Sequence, residues 1–88
     1  MISITLLTKT DCHLCDHAKE VLGRVSADYA VAVEAVDLAS REGQQVALEA
    51  GFLFPPGVLI DGRPFAQGRL SEGKLRRELD RLAVSVAG

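Results

Sequence analysis

Apolar residues alternate with polar ones at the start of the chain and then change to a helical spacing. Ile2, Ile4 and Leu6 recur at every second position, which is the period of a β-strand. From Leu14 onwards the spacing becomes three and four, as on one face of an α-helix. Residues 26–28 suit the loop that ends this helix. The apolar positions of the helix are Ala18, Val21, Leu22 and Val25.

A second strand and a second helix follow. Residues 29–38 are rich in valine, which favours a strand with Val31, Val33 and Ala35 on one face. Ser40 is a good cap for a short helix that Gly51 would stop. The inward positions of this helix are Val46, Ala47 and Ala50. Strand, helix and strand in succession predict a parallel pair of strands.

The last third of the chain predicts a hairpin and a final helix. Residues 58–60 form a short apolar run typical of a central strand, and Asp61-Gly62 is a strong turn signal. Residues 64–67 would form the return strand at an edge that tolerates Pro64. Ser71 then caps a helix with an apolar stripe at Leu75, Leu79, Leu82 and Val86. The predicted order is β-α-β-α-β-β-α.

Length and charge limit the classes of function. Eighty-eight residues, of which 48% are apolar and 25% charged, fit a single soluble domain over residues 1–88. A net charge of -2 gives no support to nucleic-acid binding, and no apolar run is long enough to span a membrane. The first residues lack a basic leader, so we expect a cytoplasmic protein, in which a close cysteine pair is catalytic or metal-binding rather than a structural disulfide.

Both cysteines and both histidines lie within residues 12–17. Three explanations compete: a redox dithiol, a metal site, or two core cysteines beside two surface histidines. Cys12 and Cys15 are one helical turn apart, so both sulfurs would lie on one face within reach of a disulfide. The strand before them and the helix after them are the context expected of a redox Cys-x-x-Cys motif.

The redox explanation assigns different roles to the two cysteines. Cys12 at the exposed helix N-terminus would be favoured as a thiolate, which is the nucleophile of disulfide exchange. Cys15, one turn further on, would be more enclosed and would resolve the mixed disulfide. Lys9 and protonated His13 can add positive charge beside the thiolate, whereas nearby acids such as Asp16 act in the opposite direction.

The metal explanation would use Cys12 and Cys15 with His13 or His17. Such sites need four ligands and usually a second ligand pair far along the chain. No cysteine or histidine follows His17, so only an acid such as Asp16 or a second chain could complete the shell. This disfavours a closed structural zinc site, while soft thiolates could still carry Zn²⁺ or Cu(I).

The whole chain resembles the small bacterial glutaredoxin-like proteins of the thioredoxin-fold superfamily. The resemblance is carried by the Cys12–Cys15 motif heading a helix and by Pro56 just before the third strand. It implies an α/β, thioredoxin-like fold of glutaredoxin type: a four-stranded mixed sheet with helices on both faces. It also implies a cis bond at Pro56, a Pro56 that faces the cysteines, and a neighbouring backbone that offers its N–H and C=O to the substrate.

Other positions match the family only in part. His13-Leu14 stands between the cysteines where glutaredoxins usually carry Pro-Tyr, but Lys9 resembles the family's lysine three residues before the first cysteine. The segment that holds the carboxylate of glutathione would fall near Gly68, where only that glycine matches well. A Ser71 cap with free N–H groups could still receive a carboxylate, with Arg69 beside it, although a plain helix cap is the favoured interpretation. The candidate residues for substrate or glutathione binding are Phe54, Pro55, Gly68, Arg69 and Ser71.

The resulting prediction is a monomeric dithiol oxidoreductase with no bound cofactor and no bound metal. Its substrates would be disulfide-containing proteins or glutathione mixed disulfides, and a reducing partner, glutathione or a reductase, would recycle it. The alternatives are a non-enzymatic module carrying zinc or Cu(I) on Cys12 and Cys15, and a redox-inert adaptor. Neither nucleic acid nor a membrane is expected as a partner.

Overall fold

A computed structural model describes the backbone of residues 1–87 and the side chains of residues 1–83. The element order is β-α-β-α-β-β-α, as predicted. No helix in this described range is long and apolar enough to cross a bilayer. The elements are β1 Ile2–Thr8, α1 His13–Asp28, β2 Val31–Asp37, α2 Arg41–Ala50, β3 Gly57–Ile60, β4 Arg63–Gln67 and α3 Glu72–Ala87.

The four strands form one mixed sheet in the order β2-β1-β3-β4. β1 and β2 pair in parallel, while β3 is antiparallel to both β1 and β4. At the hairpin between β3 and β4, Asp61 has φ 49° and Gly62 has φ 80°. Both are left-handed, which is the geometry of the tight turn that the Asp-Gly pair predicts. The predicted parallel pair and the predicted hairpin are therefore both confirmed.

Helices cover both faces of the sheet because side chains alternate along each strand. Leu6 faces the larger core cluster with α1 and α3, whereas its neighbour Leu7 faces a smaller cluster with α2. The smaller cluster contains Leu7, Val36, Ala47 and Leu59. The larger one contains Ile4, Leu6, Ala18, Val21, Leu22, Val25, Val58, Ile60, Leu70, Leu75 and Leu79.

One predicted boundary is wrong. α1 continues through Asp28, so residues 26–28 are helical and do not form a loop. The Ser26 hydroxyl donates to the carbonyl of Gly23 at 3.1 Å, which satisfies it inside the helix, and Arg76 holds the Asp28 carboxylate at 2.8 Å. The predicted inward position of Val86 on α3 lies outside the described side chains.

Ion pairs join α1 to α3 on the same face of the sheet. Glu72 pairs with Arg24 at 2.9 Å and with Arg76 at 3.0 Å, and Arg76 reaches Asp28. Hydrogen bonds from Arg24, and then from Arg76, lower the pKa of Glu72 below its usual range. These contacts fix α3, whose first residue, Glu72, follows Gly68 by four positions.

Candidate active site

Cys12 begins α1 as its N-cap residue. The loop after β1 turns at Asp11, which has φ 54°, and Cys12 is extended with φ −127° and ψ 105°. The Cys12 sulfur accepts a hydrogen bond from the backbone N–H of Cys15 at 3.2 Å. In most helices an oxygen of serine, threonine or aspartate accepts this bond. The Cys12 sulfur therefore lies at the helix N-terminus, where negative charge is favoured.

Cys12 and Cys15 form a disulfide, with their Cα atoms 5.2 Å apart. Cys12 is partly exposed, whereas Cys15 is 0% exposed and belongs to the buried face of α1. The expectation that the two sulfurs lie within bonding reach is confirmed. The difference in exposure means that an external partner can reach only the Cys12 sulfur.

The proline loop, residues 53–56, leads into β3. The Pro55–Pro56 bond is cis, as predicted, and Pro56 is buried. The pairing of β1 with β3 ends at Leu7 and Gly57, so Pro56 follows beside Thr8, four residues before Cys12. That Pro56 faces the sulfurs stays a prediction. On the N-terminal side of Pro56, Pro55 offers only its carbonyl because proline has no N–H. That a neighbouring backbone pairs with the substrate also stays a prediction.

The end of β4 holds the proline loop. The side-chain oxygen of Gln67 accepts hydrogen bonds from the backbone N–H groups of Leu53 and Phe54, the latter at 3.0 Å. The N–H of Gly68 donates to the Pro56 carbonyl at 2.8 Å. A Cβ on Gly68, which has φ 83°, would lie 3.1 Å from the Phe54 ring. The structure thus brings Phe54, Pro56 and Gly68 together.

Gln67 was missed by the sequence reasoning. A glutamine at the end of a strand matches no motif, and its partners lie 13 and 14 positions earlier in the chain. The only sequence signal was its position immediately before Gly68.

Three predicted supporting residues are exposed near Cys12. Lys9 lines an open cleft of about 310 Å³ beside the carboxyl ends of β1 and β2, His13 begins α1, and Leu14 is 38% exposed. Among the described residues, neither Lys9 nor His13 makes a side-chain hydrogen bond or ion pair. Any electrostatic effect of these two side chains on the Cys12 sulfur would act through space.

Arg69 and Ser71 lie just before α3. The Ser71 hydroxyl accepts from the N–H of Lys74 at 3.2 Å, which confirms the predicted cap, and Arg69 is exposed. Both line an open cleft of about 270 Å³ that also includes His17. Within the described part of the chain, Nδ1 of His17 is buried and has no hydrogen-bond partner.

The described residues contain no group of three or more histidine, cysteine, aspartate or glutamate side chains placed to hold a metal ion. His13 and Asp16, which the metal explanation would use, are both exposed on α1. In the part of the chain that the structure describes, the geometry therefore offers two sulfurs and no assembled set of further ligands around them.

Comparisons with known proteins identify the family and the fold of the chain. The family model described as "Glutaredoxin-like domain (DUF836)" matches residues 3–80. Among solved structures, a mutant thioredoxin from Halobacterium salinarum NRC-1 is similar, with a TM-score of 0.73 and 19% identity over 91% of this chain and 73% of that one. No curated protein matches in sequence. The chain belongs to the glutaredoxin-like domain family and has a thioredoxin-like fold.

Proposed function

We propose that this protein is a thiol–disulfide oxidoreductase in which Cys12 is the nucleophile and Cys15 the resolving cysteine. The observation that carries the proposal is the position of the Cys12 sulfur. Cys12 is partly exposed, and its sulfur caps α1 by accepting the Cys15 N–H, while Cys15, to which it is bonded, is buried. A sulfur at a helix N-terminus is favoured in its anionic form once the disulfide is reduced.

The reaction then proceeds in two exchanges. In the reduced protein, the Cys12 thiolate attacks one sulfur of the substrate disulfide, whose S–S bond breaks, and the released half leaves as a thiolate that takes a proton. The Cys15 thiol loses its proton and attacks the Cys12 sulfur, which releases the second half in the same way. Two electrons have passed to the substrate, and the Cys12–Cys15 disulfide has formed.

The proposed substrates are protein disulfides or mixed disulfides with glutathione. Leu14, Leu53 and Phe54 are large apolar residues on the surface, and Leu53 is 88% exposed. Apolar side chains at this end of the sheet suit an apolar peptide segment better than the charged glutathione tripeptide. In the cytoplasm, where we propose that the protein acts, glutathione or a reductase would return it to the dithiol.

The alternative of a zinc or Cu(I) carrier has no specific observation in its favour, since no cluster of further ligands surrounds the sulfurs among the described residues. Metal analysis of the purified protein, with a thiol count before and after a mild reductant, decides between the two. Stoichiometric metal with two free thiols and no disulfide would favour the metal carrier over the oxidoreductase.

Single cysteine variants test the exchange itself. With 2-hydroxyethyl disulfide as substrate, Cys12→Ser should abolish turnover, and Cys15→Ser should accumulate a mixed disulfide on Cys12. Mass spectrometry of the non-reduced protein detects this adduct. If Cys15→Ser alone removes alkylation by iodoacetamide at neutral pH, the two roles are reversed. An inactive parent protein that is fully reduced and metal-free would indicate the redox-inert adaptor instead.

A further inference from the structure

The proline loop has two backbone N–H donors, and one side chain accepts hydrogen bonds from both. Pro55 and Pro56 have no N–H, so Leu53 and Phe54 carry the donors of residues 53–56. Both N–H groups point to the side-chain oxygen of Gln67. Among the described residues, no other hydrogen-bond partner of these two N–H groups is found.

Few other hydrogen bonds hold this loop. On its N-terminal side, the N–H of Phe52 donates to the carbonyl of Ala47 at 2.9 Å. This bond closes the C-terminal end of α2. On its C-terminal side, the Pro56 carbonyl accepts from Gly68 at 2.8 Å. Leu53 and Phe54 lie between these two points and are largely exposed, so burial does not hold them in place. The amide oxygen of Gln67 holds these two residues in place.

Gln67 is itself well placed for this task. It is the last residue of β4 and pairs with Gly57 of β3, the residue that follows the proline loop. Its side chain is partly buried, and its backbone is fixed by the sheet. A side chain on a fixed strand can hold a loop with more precision than another loop could.

We propose that Gln67 is the positioning residue of the proline loop and that the loop therefore presents only hydrogen-bond acceptors to a substrate chain. This inference rests on the proposed disulfide exchange. Among the described residues, the carbonyl groups of Leu53, Phe54 and Pro55 have no backbone donor and remain available to a peptide N–H, whereas the Pro56 carbonyl accepts from Gly68 and both loop donors are occupied. A substrate backbone can then bind the loop through its own N–H groups but gains no N–H from the loop.

Amide hydrogen exchange measured by NMR tests the contact directly. Gln67→Leu keeps the size of the side chain but removes the acceptor, and the Leu53 and Phe54 amides should exchange about tenfold faster or more. Gln67→Glu keeps an acceptor oxygen and should retain the protection. Gln45→Leu is the matched control, because Gln45 is exposed on α2 and its side-chain amide donates to Glu49 at 2.9 Å, far from the proline loop in the chain.

Kinetics with two substrates test the positioning role. One substrate is a neutral, fluorescently labelled peptide dimer joined by a single disulfide, and the other is 2-hydroxyethyl disulfide, which has no peptide backbone. For Gln67→Leu we expect the KM for the peptide to rise about tenfold with little change in kcat, because the loop carbonyls are no longer held in place. Turnover of 2-hydroxyethyl disulfide should not change, and Gln67→Glu should restore the KM for the peptide.

The outcomes separate the two proposals. An inactive parent protein refutes the proposed function. An active parent together with unchanged amide exchange or unchanged KM in Gln67→Leu refutes the role of Gln67. An equal loss on both substrates also refutes it, because this would reflect general destabilisation. If Gln67→Leu does not fold, Gln67→Asn withdraws the same oxygen by one methylene group and should give the same pattern.

Discussion

The sulfur of Cys12 has a structural role that can be separated from its chemistry by substitution. It accepts the N–H of Cys15 and so caps α1. A serine hydroxyl at this position can accept the same bond, whereas alanine cannot. Cys12→Ser and Cys12→Ala should both lack exchange activity, yet the serine variant should be the more stable of the two.

The expected difference in the free energy of unfolding follows from the cap geometry. Replacing a capping side chain by alanine costs about 0.5–2 kcal/mol. Cys12 has the extended backbone of an N-cap, but it is partly exposed, so water can replace part of the lost bond. We therefore expect about 1 kcal/mol, which corresponds to roughly 4–8 °C in Tm for a domain of this size.

The assay compares two proteins that both lack the disulfide, so the loss of the disulfide does not contribute to the difference in their free energies of unfolding. Urea and thermal unfolding are followed by circular dichroism at 222 nm, with a reductant present to keep Cys15 as a thiol. Ser71→Ala shows how much stability a helix cap contributes in this protein, because the Ser71 hydroxyl caps α3 at the same distance of 3.2 Å. Equal stability of the serine and alanine variants, with a measurable loss in Ser71→Ala, would refute the capping role of Cys12.

Two further substitutions test other contacts. Gly68→Ala should cost roughly 1–2 kcal/mol in urea unfolding, because Gly68 has φ 83° and the new Cβ would meet the Phe54 ring; Gly73→Ala, where the nearest atom is 3.7 Å away, should cost nothing. The arginine partners of Glu72 lower its pKa in the folded protein. The ion pairs of Glu72 therefore stabilise the fold at pH values above its unfolded pKa of about 4.3, and this stabilisation is lost as the pH falls below that value. The urea midpoint should therefore fall less between pH 6 and pH 3 in Glu72→Gln than in the parent, and equal falls would contradict this.

Local signals in the sequence were enough to predict the architecture. Ser40 and Gly51 bound α2 as predicted, and Ser40 accepts the N–H of Gly43 at 2.9 Å. The Asp61-Gly62 pair marked the hairpin, and the shift from a period of two to a helical period located β1 and α1. These features depend on neighbouring residues, so the sequence shows them directly. The cysteine pair could be predicted for the same reason.

Features that depend on distant residues could not be predicted. α1 extends through Asp28, and the Asp28 carboxylate there contacts Arg76, which lies 48 positions later in the chain. Gln67 gains its role from a loop 13 positions earlier. The missing N–H of Pro55 differs from these two features, because the sequence alone shows that a proline stands at this position.

The sheet has a reactive end and an opposite end, and this polarity has a practical use. Cys12 and the proline loop lie where β1 ends and β3 begins. At the other end, the Asp61 carboxylate accepts the N–H of Ser3 at 2.9 Å, and Met1 is 90% exposed. A protein immobilised through its first residue on an electrode or a sensor chip would turn its disulfide toward the solution. Surface attachment at this end would therefore allow electrochemical measurements without blocking access to sulfur.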